Sequence, residues 1–155
     1  MPKTKRPARS RTPKQTPQFE LLRHLPHLLR RAHFEADAVY RQLYGDAVTS
    51  RQLALLSSVA RQPGASQSQV AQEIGLDLNT CSDLVARTVA KGLLRRERSA
   101  TDARSFCLQL SDEGAQVARE GMTIAPAYQD MLAQQLAPAE RVQLIALLRK
   151  MLGFD

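Results

Sequence analysis

Six cations crowd one short stretch of this chain. Arg87, Lys91, Arg95, Arg96, Arg98 and Arg104 are opposed there only by Glu97 and Asp102. Held on a folded surface, such a set attracts a polyanion, most often nucleic acid; the plainer alternative is a solvated charged face. A different chemistry gathers nearer the start. His24, His27 and Arg31 recur at three- and four-residue spacing and so share one stripe of a helix. Zinc at His24 and His27 would lack further ligands, because no carboxylate or thiol stands at ligand spacing. Cys81 and Cys107 are the only cysteines, which excludes a disulfide framework and a multi-cysteine zinc site. No Ser/His/Asp order, phosphate loop or paired-carboxylate motif occurs, which argues against an enzyme and calls for no cofactor.

The 155 residues hold 22 Lys and Arg against 15 Asp and Glu, a formal net of +7. Six of those charges are Lys3, Lys5, Arg6, Arg9, Arg11 and Lys14, in a stretch 1–17 that has no acid and four of the eight prolines. Such a segment cannot bury a core and reads as a disordered basic arm. Residues 18–155 then form one domain, long enough to hold a single core without staples. No run reaches the roughly 18 apolar residues of a membrane span, and no secretory h-region is present. A cytoplasmic protein with no membrane partner is expected.

The elements that must position these side chains are mostly helical. Leu22, Leu25, Leu29, Ala32, Ala36, Val39 and Leu43 predict one long amphipathic helix from Phe19 to Gly45. Thr49 opens a second, with Leu53, Leu56 and Val59 on one face, stopped by Pro63-Gly64. Ser66 and Gln69 have capping-box spacing and open a short third helix that closes at Gly75. Asn79 is expected to cap a fourth, with Leu84, Val85, Thr88 and Val89 inward and Gly92 as its stop. Two short helices about a tight turn make a helix-turn-helix. Leu93–Arg98 and Ser105–Leu110 then read as strands joined by a turn at 99–104, a wing. Ser111 caps a helix reaching toward Leu136, with Gly121 and Pro126 as irregularities, and Pro138 begins the last. The fold class is mainly α with a small β wing. The final helix is apolar nearly all round and the first carries a continuous stripe, so both need a partner surface, and a homodimer supplies one.

The run from Thr80 to Arg87, then Lys91-Gly92-Leu93-Leu94, Asp102-Ala103-Arg104 and Leu110-Ser111-Asp112-Glu113-Gly114, resembles the MarR family of bacterial transcription regulators. The resemblance covers residues 20–152. It implies a winged helix-turn-helix with a DNA-binding lobe over about 49–110 and dimerisation helices over about 18–45 and 111–153. It further implies a homodimeric repressor on a palindromic double-stranded operator. The segments "HLPHLLRRAHF" and "TSRQLALL" resemble the branch that governs aromatic-acid catabolism, including hydroxynicotinate-responsive regulators.

That resemblance gives the residues roles. Ser66, Gln67, Asn79, Thr80 and Ser82 would meet phosphates or base edges, and Arg87 the backbone or groove wall. Asp83 stands where many relatives carry Arg; it pairs with Arg87, accepts from a cytosine amino group, or excludes wrong sites. Arg95, Arg96 and Arg98 suit phosphates, while Arg104, held by Asp102, suits a minor groove. A small aromatic carboxylate would take Arg31 or Arg51, with His24 or His27 on its ring substituent. Against this stand plain interface histidines. A metal or redox sensor on the same scaffold and a sequence-independent architectural protein are the rival functions.

Overall fold

The computed structural model describes residues 20–98 and 106–154. The expected basic arm, and the wing-tip pair Asp102 and Arg104, lie outside the described residues. Within them the expected element order is present: α1 (Leu25–Tyr44), α2 (Ser50–Arg61), α3 (Gln67–Glu73), α4 (Leu78–Ala90), β1 (Leu94–Arg98), β2 (Phe106–Leu110), α5 (Asp112–Leu132) and α6 (Pro138–Leu152). The fold is mainly α with a two-stranded antiparallel sheet.

Three boundaries correct the expectations. The first helix is not continuous from Phe19: a 3-10 turn spans Leu21–Arg23 and α1 starts at Leu25. Pro26 is the reason, since a residue without N–H and with φ fixed near –65° belongs in a helix's first turn. The cap of α4 is Asp77, not Asn79. Finally, α5 ends at Leu132 rather than near Leu136, and Pro126 sits inside it without ending it.

Local chemistry accounts for the other ends. Thr49 and Ser66 each close a capping box with the Gln three residues on, and Ser111 accepts from the Gly114 amide. Gly92 takes φ +73° after α4, a conformation that leads the chain into β1 at no steric cost. At Gly114 the Leu93 carbonyl comes so near that no β-carbon fits, which seats α5 on the α4–β1 junction.

The core belongs to the middle of the chain. Leu55, Leu56 and Val59 of α2 meet Val70 and Ala71 of α3, Leu84 and Val85 of α4, Leu94 and Leu108 of the sheet and Ala118 of α5. The wing is bound into this core, because the Leu108 amide donates to the Ala65 carbonyl at 3.0 Å and its carbonyl accepts from Gly64 at 3.2 Å. The ends differ. Of α1 only Val39 and Tyr40 are buried, and of α6 nothing is. Tyr40 and Tyr44 stack at 4.4 Å, and the Tyr128 ring stands edge-on to both at 6.0 Å, joining α1 to α5. Each hydroxyl donates to a main-chain carbonyl: Tyr40 to Val48, Tyr44 to Gly121, Tyr128 to Ala36.

Candidate nucleic-acid interface and adjoining cavity

Helix α4 is set by its first turn. The Asp77 carboxylate accepts the Asn79 and Thr80 amides, both at 3.0 Å, and the Thr80 hydroxyl at 2.5 Å. The Thr80 hydroxyl, then its amide, hold the Asp77 carboxyl below the usual carboxylate range, with burial acting weakly the other way. Thr80 is therefore engaged in capping, as is Ser66, whose Oγ accepts from the Gln69 amide at 3.3 Å. Both are spent, at least in part, on helix geometry. Asn79, Ser82 and Asp83 make no side-chain hydrogen bond or ion pair among the described residues. The Gln67 side-chain oxygen is buried without a partner.

The cationic stretch divides in two. Arg95, Arg96 and Arg98 are exposed along β1, and Arg96 lies 4.0 Å above the Phe106 ring. Arg87 and Lys91 turn instead toward a cavity of about 680 Å³. This cavity lies between the end of α1, the α1–α2 loop, the start of α2 and the end of α4. Arg41, Arg51, Arg87 and Lys91 face it with Asp37 and Asp46. Four cations against two acids favour an anion.

Behind the cavity a polar chain ties its wall to α4. Lys91 Nζ donates to the Ala47 carbonyl at 2.6 Å and to Gln52 Oε1 at 3.2 Å. The buried Gln52 amide donates to Thr88 Oγ1 at 3.4 Å, and that hydroxyl donates to the Leu84 carbonyl at 2.7 Å. Buried polar groups so satisfied resist being pulled apart one at a time. Tyr40 borders the same space; burial first, then the Tyr44 and Tyr128 rings, push its phenol up to about 12.

The expected ligand cluster is not assembled within the chain. Arg51 lines the cavity, but His24, His27 and Arg31 stand at the opposite end of α1. From His27 to Arg41 the helix rises roughly 21 Å. His27 Nδ1 accepts from Arg30 at 3.0 Å. Arg41, Lys91 and Tyr40 were not expected in a site, and Arg87 was expected on nucleic acid. No spacing rule brings residues 41, 51 and 87 together, since the turn at Gly45 and the α2–α4 packing do so. Among the described residues no three His, Cys, Asp or Glu side chains cluster as metal ligands would. Nor is any helix there long and apolar enough to cross a membrane. Cys81 is buried, and burial followed by the Asp77 charge raises its thiol pKa, which lowers its reactivity.

Comparison with known proteins places the arrangement. The MarR family model matches residues 48–105, from the α1–α2 loop to the wing. The putative transcriptional regulatory protein for the hcr operon of Thauera aromatica is 35% identical over 111 residues, 71% of this chain and 66% of that protein. Among solved structures, the PcaV regulator of Streptomyces coelicolor, in complex with its natural ligand, superimposes with a TM-score of 0.83 at 28% identity, covering 89% of this chain and 98% of that one. BpsR of Bordetella bronchiseptica, whose DNA binding is regulated by 6-hydroxynicotinic acid, gives 0.75 at 30% identity, covering 82% and 97%.

Proposed function

Because the chain belongs to the MarR family of transcriptional regulators, we propose that it represses as a homodimer on a palindromic operator and releases it when an aromatic carboxylate fills the α1–α2–α4 cavity. The observation that carries this reading is the double membership of one helix. Arg87 and Lys91 line the cavity from α4 and its last turn, while Asn79 and Asp83 on the same helix face outward. A guest that recruits those cations shifts the helix that meets DNA.

The dimer half of the reading rests on what the single chain leaves bare. In α6, Val142, Ile145, Leu147 and Leu152 are more than half exposed, as are Leu21, Leu22 and Leu25 at the other end. A two-fold pairing of these ends covers both. Since His24, His27 and Arg31 stand far from their own cavity, they reach a ligand only by way of the second copy. On DNA, Arg95 and Arg98 hold phosphates and Arg104 enters the minor groove beside Asp102.

A ligand releases DNA only by favouring the conformer that binds DNA less well, and DNA must then weaken the ligand by the same factor, typically ~5–150-fold. Calorimetry and fluorescence anisotropy with benzoate, 4-hydroxybenzoate, nicotinate and 6-hydroxynicotinate test this. Wild type is expected to bind one of these acids and lose operator. Arg51→Ala is expected to keep the operator and lose the response. If none of the acids binds wild type, or Arg51→Ala responds normally, the cavity is not the effector site.

A further inference from the structure

The exposed carboxylate of Asp83 is an anomaly on a helix that meets a polyanion. Of the three roles its position allows, the geometry removes one. Arg87, a turn further on, gives its Nε to the Asp83 main-chain oxygen at 3.3 Å rather than to the carboxylate, and the residue lines the cavity. No ion pair forms on Asp83 among the described residues.

The faces of α4 are otherwise assigned. Cys81, Leu84, Val85 and Thr88 are buried in the core. Arg87 and Lys91 form the flank on the cavity. What remains is the stripe opposite the core, where Asn79, Asp83 and Ala86 follow one another at helical steps, all exposed; Ala90, the next step, already borders the cavity. Ala86 is short, so this stripe can approach a groove floor closely, with Asn79 and Asp83 as its polar groups. An ionised carboxylate only accepts hydrogen bonds. In the major groove, guanine presents two acceptors, thymine an acceptor and a methyl group, and adenine a donor beside the N7 acceptor. Cytosine alone offers its N4 amino group with no acceptor of its own.

We propose that Asp83 is a specificity-determining residue that accepts a hydrogen bond from the N4 amino group of one cytosine in each half-site. The proposal rests on the reading of α4 as the DNA-reading helix, and adds which base it selects. The same carboxylate repels phosphate wherever that cytosine is missing, so it weakens binding to unrelated sequence.

Selection from a randomised duplex pool with the full chain tests this, whatever the operator sequence. Wild type is expected to recover sites with a fixed cytosine in each half, and replacing it is expected to weaken binding about 5- to 150-fold. Asp83→Ala should lose preference at that position alone and bind random duplex more tightly. Asp83→Asn, which can both donate and accept, should shift the preference there to adenine. An Asp83→Ala selection identical to wild type at every position overturns the proposal and leaves the regulator reading intact. Recovery by wild type of sites with no fixed cytosine overturns it equally. A wild type that selects no sequence at all removes both.

Discussion

The middle and the ends of this molecule are built on opposite terms. From α2 to the start of α5, apolar side chains face one another, and the wing is hydrogen-bonded into the same core. At α6 and in the 3-10 turn leading into α1, side chains of the same kinds face outward, with Leu22 and Val142 at 66% and 70% exposure. The middle can hold its own shape. In the proposed homodimer the ends acquire their energy from association, which makes it dependent on protein concentration. A regulator so divided would keep its reading head rigid while, in the proposed dimer, the spacing to a second head depends on the assembly.

Breaking the middle should have the largest effect. Leu55 is fully buried where α2 meets α3 and α4, so Leu55→Ala is expected to lower unfolding free energy by about 2–5 kcal/mol in urea titration. Its dimer contacts should be untouched once folded. Breaking the ends should do the reverse. Ile145→Glu with Leu147→Glu is expected to give a monomer by sedimentation, with near-native helical content, forfeiting about 1.5–3 kcal/mol for each apolar side chain no longer covered. Operator affinity should then fall with dilution far more steeply than in wild type. If the double variant stays dimeric, the contrast between the two regions is wrong.

The smallest effect sharpens the contrast inside the middle. Asp77 has its carboxyl pKa lowered in the folded state by the Thr80 hydroxyl and the first-turn amides of α4. A lowered folded pKa contributes stability above the unfolded value, and this is lost as pH falls through the folded one. Asp77→Asn keeps a capping oxygen but cannot titrate. Its stability should depend less on pH through the acid range than that of wild type, measured by thermal melts at stepped pH.

Local signals wrote most of the fold plainly. The Thr49 and Ser66 boxes, the Gly92 stop, Ser111 and the two wing strands are short-range features, and each stands where hydroxyl, amide or glycine chemistry puts it. Competition between neighbouring signals caused the misses. Asp77 and Asn79 are both good caps, and the carboxylate with the Thr80 hydroxyl in reach took the position. Pro26 outweighed the leucine periodicity that ran through it. The site was less legible. Arg51 is expected there from the family resemblance together with its charge, but Arg41 and Lys91 join it only through the turn at Gly45 and the packing of α4 on α2. Arg87 shows the same limit, for its type fitted DNA and its placement adds a cavity. His24, His27 and Arg31 do share a region of α1, yet their distance from Arg51 is a property of helix length that a stripe does not convey.

The tyrosine junction has a consequence for observation. The chain holds three tyrosines and no tryptophan, and all three rings are packed together where α1 crosses α5, with Tyr40 on the cavity wall. Tyrosine emission from this protein therefore originates at a single place. A guest that enters the cavity is expected to change the quenching of Tyr40, and a tilt of α1 against α5 that of all three tyrosines. The molecule carries its own unlabelled optical gauge, aimed at the joint between its rigid middle and its outward-facing ends.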